Sequence, residues 1–309
     1  MMNNKKSIFT NTAFVAVAAL LCCALWGSAT PFIKTGYELL LPEKNTPSII
    51  LFAGIRFTLA GILTVLIYSV ARKKFLYPKK KNLGKVATVA AFQTVVQYIF
   101  FYVGLANTSG VKGTVITGAN AFCTILIASL IFRMEKLTVK KVIACILGFA
   151  GIVVINLNGL DLNMNFTGDC FVFFSSVSYA FSSVMIKLFS KDEDPVIISG
   201  YQFIAGGIFM IIVGIIFGGN IVVSSFSGAG VLFYLSCLSA IAYALWGVLL
   251  KHNPVSKVSI FSFTTPLFGA ILSKLMLTES ANVSTLNLLI TLTLVSSGII
   301  ILNYNKTKN

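Results

Sequence analysis

Arg56 is the residue whose type and position first suggest chemistry. It lies in Ile55-Arg56-Phe57, inside an apolar run from about 48 to 70. A charge there is costly and ordinarily faces a protein interior or a cavity. Two roles fit it: docking a carboxylate or phosphate through the guanidinium fork, or tying its own helix to a neighbour. Gln202 stands at the matching place in a later apolar run, as a neutral counterpart. Gln93 and Gln97 are four residues apart, so a helix puts them on one face, with Tyr98 and Tyr102 turned to the side. Asn120, in Gly118-Ala119-Asn120-Ala121, carries an amide into the middle of another run. Together these side chains could line a polar, aromatic cavity or bond between helices, and both readings stay open.

Two further stripes have helical spacing. Ser175, Tyr179 and Ser182 form one, and Ser236, Ser239, Tyr243 and Trp246 the other. Such stripes line a pathway or pack tightly, and a serine often bonds its own helix carbonyl. Gly214 and Gly218 read as a close-packing pair. The nine acids all fall in loops or at the edges of apolar runs, and the single histidine, His252, falls in a loop. A proton relay through a buried carboxylate therefore has no obvious residues. None of the six cysteines has metal-ligand spacing, and all read as small apolar packing residues. No phosphate-binding glycine loop is present. The sequence supports no catalytic residue, no metal site and no cofactor.

The elements that must position these residues are apolar blocks. The chain of 309 residues is 57% hydrophobic and only 11% charged, against about 25% charged in soluble domains. A bilayer core about 30 Å thick needs about 20 helical residues. Ten blocks meet that requirement, at roughly 13–33, 48–70, 84–106, 112–132, 138–157, 167–189, 195–218, 228–250, 256–277 and 284–303. Lys5 and Lys6 before the first block resemble a signal peptide, but the apolar run continues through Thr30-Pro31-Phe32-Ile33. It reads as a retained first span.

The formal charge of +15 invites a nucleic-acid partner until the lysines and arginines are placed. With the N-terminus inside, 19 of the 24 fall on the inner side and 4 on the outer, with Arg56 within a span. That asymmetry is the positive-inside rule. Both termini are expected in the cytoplasm, with the basic loops facing anionic lipid headgroups and no nucleic acid as partner.

The chain also repeats itself. Residues 53–62 (AGIRFTLAGI) match 199–208 (SGYQFIAGGI), WGSATPFIK from Trp26 aligns with YAFSSVMIK from Tyr179, and 122–135 aligns with 266–279. The three matches keep the same order at offsets of 146, 153 and 144. Five spans is an odd number, so the second half must lie upside down relative to the first. Inverted repeats of this kind recur in secondary transporters, with substrate bound near the midplane between the halves.

These residues resemble the drug/metabolite transporter superfamily, specifically its EamA-type members. The likeness is carried by Leu25-Trp26-Gly27-Ser28, by Ile55-Arg56-Phe57 with Ala60-Gly61, and by Phe132-Arg133-Met134-Glu135-Lys136-Leu137-Thr138 leading to Gly148 and Gly151. Pro266 followed by Glu279 belongs to the same pattern, while Phe122 replaces an expected proline and Gln202 an arginine. The resemblance implies transport of small polar or amphipathic metabolites, often export of amino acids or related compounds.

The expectation is an all-α integral membrane protein with ten transmembrane helices in two inverted five-helix repeats, 13–157 and 167–303, in the plasma membrane. Its expected activity is alternating-access transport of zwitterionic or anionic metabolites. Arg56, Gln93, Gln97, Tyr98, Asn120, Tyr179, Gln202 and Trp246 are the candidate substrate contacts. Trp26, Tyr102, Tyr243 and Pro266 are candidate walls or gates. A homo-oligomer is left open. The competing reading is a polytopic membrane enzyme acting on a lipid or lipid-linked substrate.

Overall fold

The computed structural model describes residues 8–108, 110–157, 163–223, 225–276 and 284–304. Glu279, Lys5, Lys6, Lys306 and Lys308 lie outside them. Among the described residues there are no strands, and ten helices are long and apolar enough to cross a membrane. They are α1 (Thr12–Leu40), α2 (Thr46–Ala71), α3 (Lys80–Ala106), α4 (Val111–Ile131), α5 (Val139–Asn156), α6 (Phe166–Phe189), α7 (Pro195–Ile216), α8 (Phe226–His252), α9 (Val255–Leu272) and α10 (Leu286–Asn303). All ten expected spans are present. α1 overruns its expected end at Ile33 by two turns, continuing through Pro31 to Leu40.

Helix starts follow local chemistry. The side chains of Asn11, Asn45, Asn165, Asp194 and Ser225 each accept a hydrogen bond from an amide of the first turn that follows. Pro47 and Pro195 occupy first-turn positions of α2 and α7, where a missing N–H costs nothing.

The main helix contacts come in mirror pairs. α1 packs on α8 and α9 as α6 packs on α3 and α4, and α2 packs on α8 as α7 packs on α3. α2 meets its own repeat mate α7, and α5 meets α10. This is the arrangement of two interlocked five-helix repeats.

The α2–α7 crossing is set by glycines one heptad apart. A Cβ on Gly61 would lie 2.5 Å from the Gly200 carbonyl oxygen, and one on Gly54 2.7 Å from the Ile211 nitrogen. Gly207 and Gly214 meet Thr58 and Leu51 just as closely. Lipid tails are as apolar as these helices, so association rests on close van der Waals packing, which only a missing side chain permits here. Gly218 is not part of this seam. It has a φ of +81° just beyond α7 and nothing within 4 Å of its Cβ position, so it turns the chain out of the helix.

Three spans are irregular along their length, and α6 opens with a π-helical turn at Phe166–Cys170. α3 contains a π-helical stretch from Ala90 to Val96, and α4 breaks at Gly118 before a π turn at Ile127–Ile131. α9 opens as one helical turn, passes through a 3-10 stretch at Ile260–Thr264 and resumes as a helix at Thr265. Phe122 in place of proline therefore does not leave α4 continuous; the interruption falls four residues earlier, at a glycine.

The end of the bundle that carries the basic loops is held by buried or half-buried polar contacts. Glu135, beyond α4, accepts from Lys141 Nζ at 2.7 Å and from the Ser256 hydroxyl and amide at the start of α9. Glu193 accepts from Asn82 Nδ2 at 3.0 Å and the Lys79 amide at 2.8 Å. Burial pushes the Glu135 carboxyl up, but the bonds from Lys141 and Ser256 outweigh it and hold the group below its ordinary value.

Two outcomes follow. Gly61→Ala should lower the thermal stability of the purified protein in detergent by about 1–3 kcal/mol, because backbone rather than a flexible side chain must give way. Gly84→Ala, in a helix where no atom lies within 4 Å, should not lower it and should raise it by up to about 1 kcal/mol. For Glu135, a lowered folded-state value means stabilisation at neutral pH that is lost as pH falls through that value. Melting temperature should therefore drop between about pH 5 and 3, and Glu135→Gln should shrink that drop by destabilising the neutral-pH protein.

Candidate functional site

Several of the side chains singled out from sequence, Trp26, Tyr98, Tyr102, Tyr179, Tyr243 and Trp246, form a chain of contacts where α1, α2, α3, α6 and α8 meet. Trp26 of α1 lies 5.1 Å from Tyr243 and 5.0 Å from Trp246 of α8, both edge-on. The Tyr243 hydroxyl is 2.9 Å from that of Tyr98 on α3. Tyr98 in turn packs on Phe57 at 4.5 Å and on Tyr102 at 5.9 Å, and Tyr179 of α6 joins the same buried cluster. Phe57 and Phe203, identical partners in the repeat, stack at 5.1 Å across the α2–α7 seam.

Arg56 is 97% removed from solvent and borders this cluster. Its Nη2 donates to Ser239 Oγ at 2.9 Å and its Nε to the Leu235 carbonyl at 3.4 Å, while its guanidinium carbon lies 5.0 Å from the Phe57 ring centre. The tie between α2 and α8 is thus real. It uses only two of the five N–H donors a guanidinium carries. Among the described residues no carboxylate is within ion-pair distance of it. Its field falls instead on the phenols of Tyr37, Tyr98, Tyr102 and Tyr243.

Gln202 is the structural mate of Arg56. Its Oε1 accepts from Thr94 Oγ1 at 2.6 Å, joining α7 to α3 as Arg56 joins α2 to α8. Thr94 and Ser239 are related by an offset of 145, close to the 146 that relates Arg56 and Gln202. Each half thus clamps the other through one long polar side chain and one hydroxyl.

Several buried polar atoms have no hydrogen-bond partner among the described residues: the indole nitrogens of Trp26 and Trp246, Oε1 of Gln93 and of Gln97, Oδ1 of Asn120 and Nε2 of Gln202. An unmatched buried polar atom costs about 1–3 kcal/mol, so a group of them is unusual in a protein interior. The two indole rings are 5.0 Å apart, and each N–H is a donor left free to bond an acceptor. The glutamine pair lies in and just beyond the π-helical stretch of α3, a distortion frequent at functional sites. The Phe92 carbonyl within that stretch accepts from Ser178 Oγ of α6 at 2.6 Å.

Other serines follow the packing reading. Ser175, Ser182 and Ser239 bond carbonyls of their own helix, and Ser236 also reaches the Arg56 carbonyl at 3.2 Å. Asn120 follows the Gly118 break and Pro266 the 3-10 stretch of α9, and neither makes a ring or side-chain hydrogen-bond contact with the aromatic cluster. The six cysteines are free, with Cys22 and Cys23 buried among α1, α8 and α9. No metal-ligand group occurs among the described residues. Thr94, Tyr37, Phe57 and Phe203 were not singled out as site residues. Thr94 and Tyr37 carry no periodic signal, whereas the phenylalanines could have been found from their identity in both repeats.

An interior of aromatic rings and unmatched donors and acceptors, set between interlocked helical halves, defines a polytopic membrane protein with a polar core. Comparison with known proteins makes this specific. The EamA-like transporter family model matches twice, at residues 13–157 and 166–304, and the chain belongs to that family. An uncharacterized transporter of Synechocystis is 27% identical over 276 residues, covering 82% of this chain and 80% of its own. Another, from Archaeoglobus fulgidus, is 26% identical, covering 87% and 92%. A WAT1-related chloroplastic protein of Arabidopsis thaliana is 26% identical over 192 residues, which span 46% of its length. A crystal structure superposes with a TM-score of 0.76 at 16% identity over 94% of this chain, which establishes the shared fold. The protein is a multi-pass membrane transporter, and the membrane-enzyme alternative is set aside.

The unmatched indole donor gives a direct test of the cluster. Trp246→Phe removes a buried N–H that has no protein partner and keeps the ring. It should leave melting temperature unchanged or slightly higher, while weakening binding of any transported compound by about 1–2 kcal/mol in calorimetry or fluorescence quenching.

Proposed function

We propose that this transporter carries small metabolites bearing an anionic group, zwitterionic amino acids or organic acids, around a site bounded by Arg56, Trp26, Tyr98, Tyr102, Tyr243 and Trp246. The observation that carries the reading is Arg56, a buried cation with no described carboxylate in ion-pair range, joined through Phe57, Tyr98 and Tyr243 to Trp26, whose indole N–H, like that of Trp246, has no partner among the described residues. A substrate carboxylate would supply the missing charge and accept from those donors. A cationic drug would find the field reversed. Gln93, Gln97 and Gln202 offer amide contacts to the polar remainder of the substrate, with Tyr179 closing the wall. Asn120 and Pro266, at the interruptions of α4 and α9, are where those spans would bend.

Transport proceeds by rocking of the two repeats about the α2–α7 seam, each end of the bundle opening in turn. Both termini lie in the cytoplasm of a cell whose plasma membrane holds the protein, since the basic loops share one end. Export by facilitated diffusion or exchange fits a span interior without Asp, Glu or His among the described residues.

The test is a loss assay. Proteoliposomes loaded with a cell-extract metabolite pool should selectively lose carboxylate-bearing compounds relative to protein-free vesicles, as read by mass spectrometry. Arg56→Gln should reduce affinity for such a compound by about 2 kcal/mol while lowering folded yield much less. Equal loss of yield and affinity would reduce Arg56 to its tie with α8, and selective loss of cations would overturn the substrate class.

A further inference from the structure

The two repeats differ at one mirrored pair of lysines. Lys34 of α1 and Lys187 of α6 end the aligned segments WGSATPFIK and YAFSSVMIK. Lys187 Nζ donates to the carbonyls of Leu250 at 2.7 Å and Asn253 at 2.6 Å, at the C-terminus of α8. These oxygens belong to the last turn of a helix and its cap, where carbonyls lack helical partners and the dipole favours a cation. Lys34 is exposed and makes no hydrogen bond or ion pair among the described residues.

The place where Lys34 would find the same partners is fixed by mirrored caps. Asn253 caps α8 and Asn107 caps α3, and each side-chain amide donates to the carbonyl four residues back, Leu249 at 2.9 Å and Val103 at 2.8 Å. Each cap also bonds the segment that precedes the first helix of the opposite repeat. Asn253 donates to the Phe9 carbonyl ahead of α1, and the Asn107 carbonyl accepts from Asn165 ahead of α6, both at 2.8 Å. Asn107 is therefore the counterpart of Asn253, and the α3 carbonyls of Gly104 and Asn107 are the counterparts of those Lys187 holds. Accordingly α6 packs on α8, whereas α1 and α3 meet there mainly through the Tyr37 and Tyr102 side chains.

We propose that Lys187 and Lys34 are the alternating latches of the two ends. Lys187 closes the basic end by seating on the α8 terminus, and Lys34 closes the opposite end by seating on the α3 terminus after Lys187 releases. The arrangement described here is then the one closed at the basic end. This inference rests on the alternating-access reading, because only rocking of one repeat against the other makes the two contacts mutually exclusive.

Hydrogen exchange of the full-length protein in nanodiscs tests it at both ends at once. Lys187→Met should speed exchange of amides 250–256 and slow that of 104–108, each about tenfold, as expected when one charge-assisted bond is removed from a two-state balance. Lys34→Met should move both segments the opposite way, and Lys187→Arg and Lys34→Arg should stay close to the natural protein. Faster exchange at both ends in Lys187→Met, or no change at either, would overturn the latches, since a merely structural lysine loosens its surroundings without tightening the far end. The loss assay separates the two claims. Selective flux with no reciprocal exchange leaves transport and removes the latches. Reciprocal exchange with no flux of any metabolite keeps the latches and removes the substrate reading.

Discussion

The crossing of α2 and α7 constrains everything else in this molecule. In a bilayer two apolar helices gain little from burying apolar surface against each other, and they must gain from contact distance instead. Gly54, Gly61, Gly207 and Gly214 bring the two backbones so close that a single methyl group would overlap the opposing chain. The helices are repeat mates, so the seam lies on the pseudo-twofold axis of the protein. Phe57 and Phe203 stack across it, and Arg56 and Gln202 leave it in opposite directions to clamp α8 and α3. Both clamps therefore depend on how near α2 and α7 can approach.

The interior beside the seam is organised against its own stability. Two indole nitrogens, two glutamine carbonyl oxygens and an uncompensated guanidinium are withdrawn from solvent without full pairing. A fold optimised for stability alone would replace such groups by hydrocarbon. The two glutamine oxygens lie in and just beyond the π-helical stretch of α3, so the unmet hydrogen bonds there accompany a distortion of the helix itself. Arg56 joins packing to polarity, since two bonds fix it to α8 while its guanidinium carbon lies 5.0 Å from the Phe57 ring of the cluster.

The symmetry is a symmetry of positions and less one of chemistry. Arg56 faces a serine where Gln202 faces a threonine, so one clamp is charged and the other neutral. The interruption of α4 falls at Gly118 and that of α9 just ahead of Pro266. One end of the bundle carries the Glu135, Lys141 and Ser256 contacts, whereas Asp169 at the other end is held by Lys112 and Thr108 at 2.8 and 2.6 Å. A mirrored backbone with unequal side chains therefore holds its two ends by contacts of different strength and chemistry.

The sequence by itself determined the ten spans, the repeat and the class of protein. Each of these is written in local composition: a helix in lipid must be apolar over about 20 residues, and duplicated segments keep their glycines and aromatics. It also marked Arg56, Trp26, Tyr98, Tyr243 and Trp246, because polar or bulky aromatic groups stand out in an apolar run. Only the tertiary structure decided that Arg56 meets Ser239, that Thr94 is its counterpart's partner, that Gly214 packs while Gly218 turns the chain, and that α4 bends without a proline. Those outcomes depend on which helix faces are brought together across the seam and at what distance. Hydropathy has no memory of that, since a serine bonded to its own helix and one bonded across to a neighbour have the same composition and spacing.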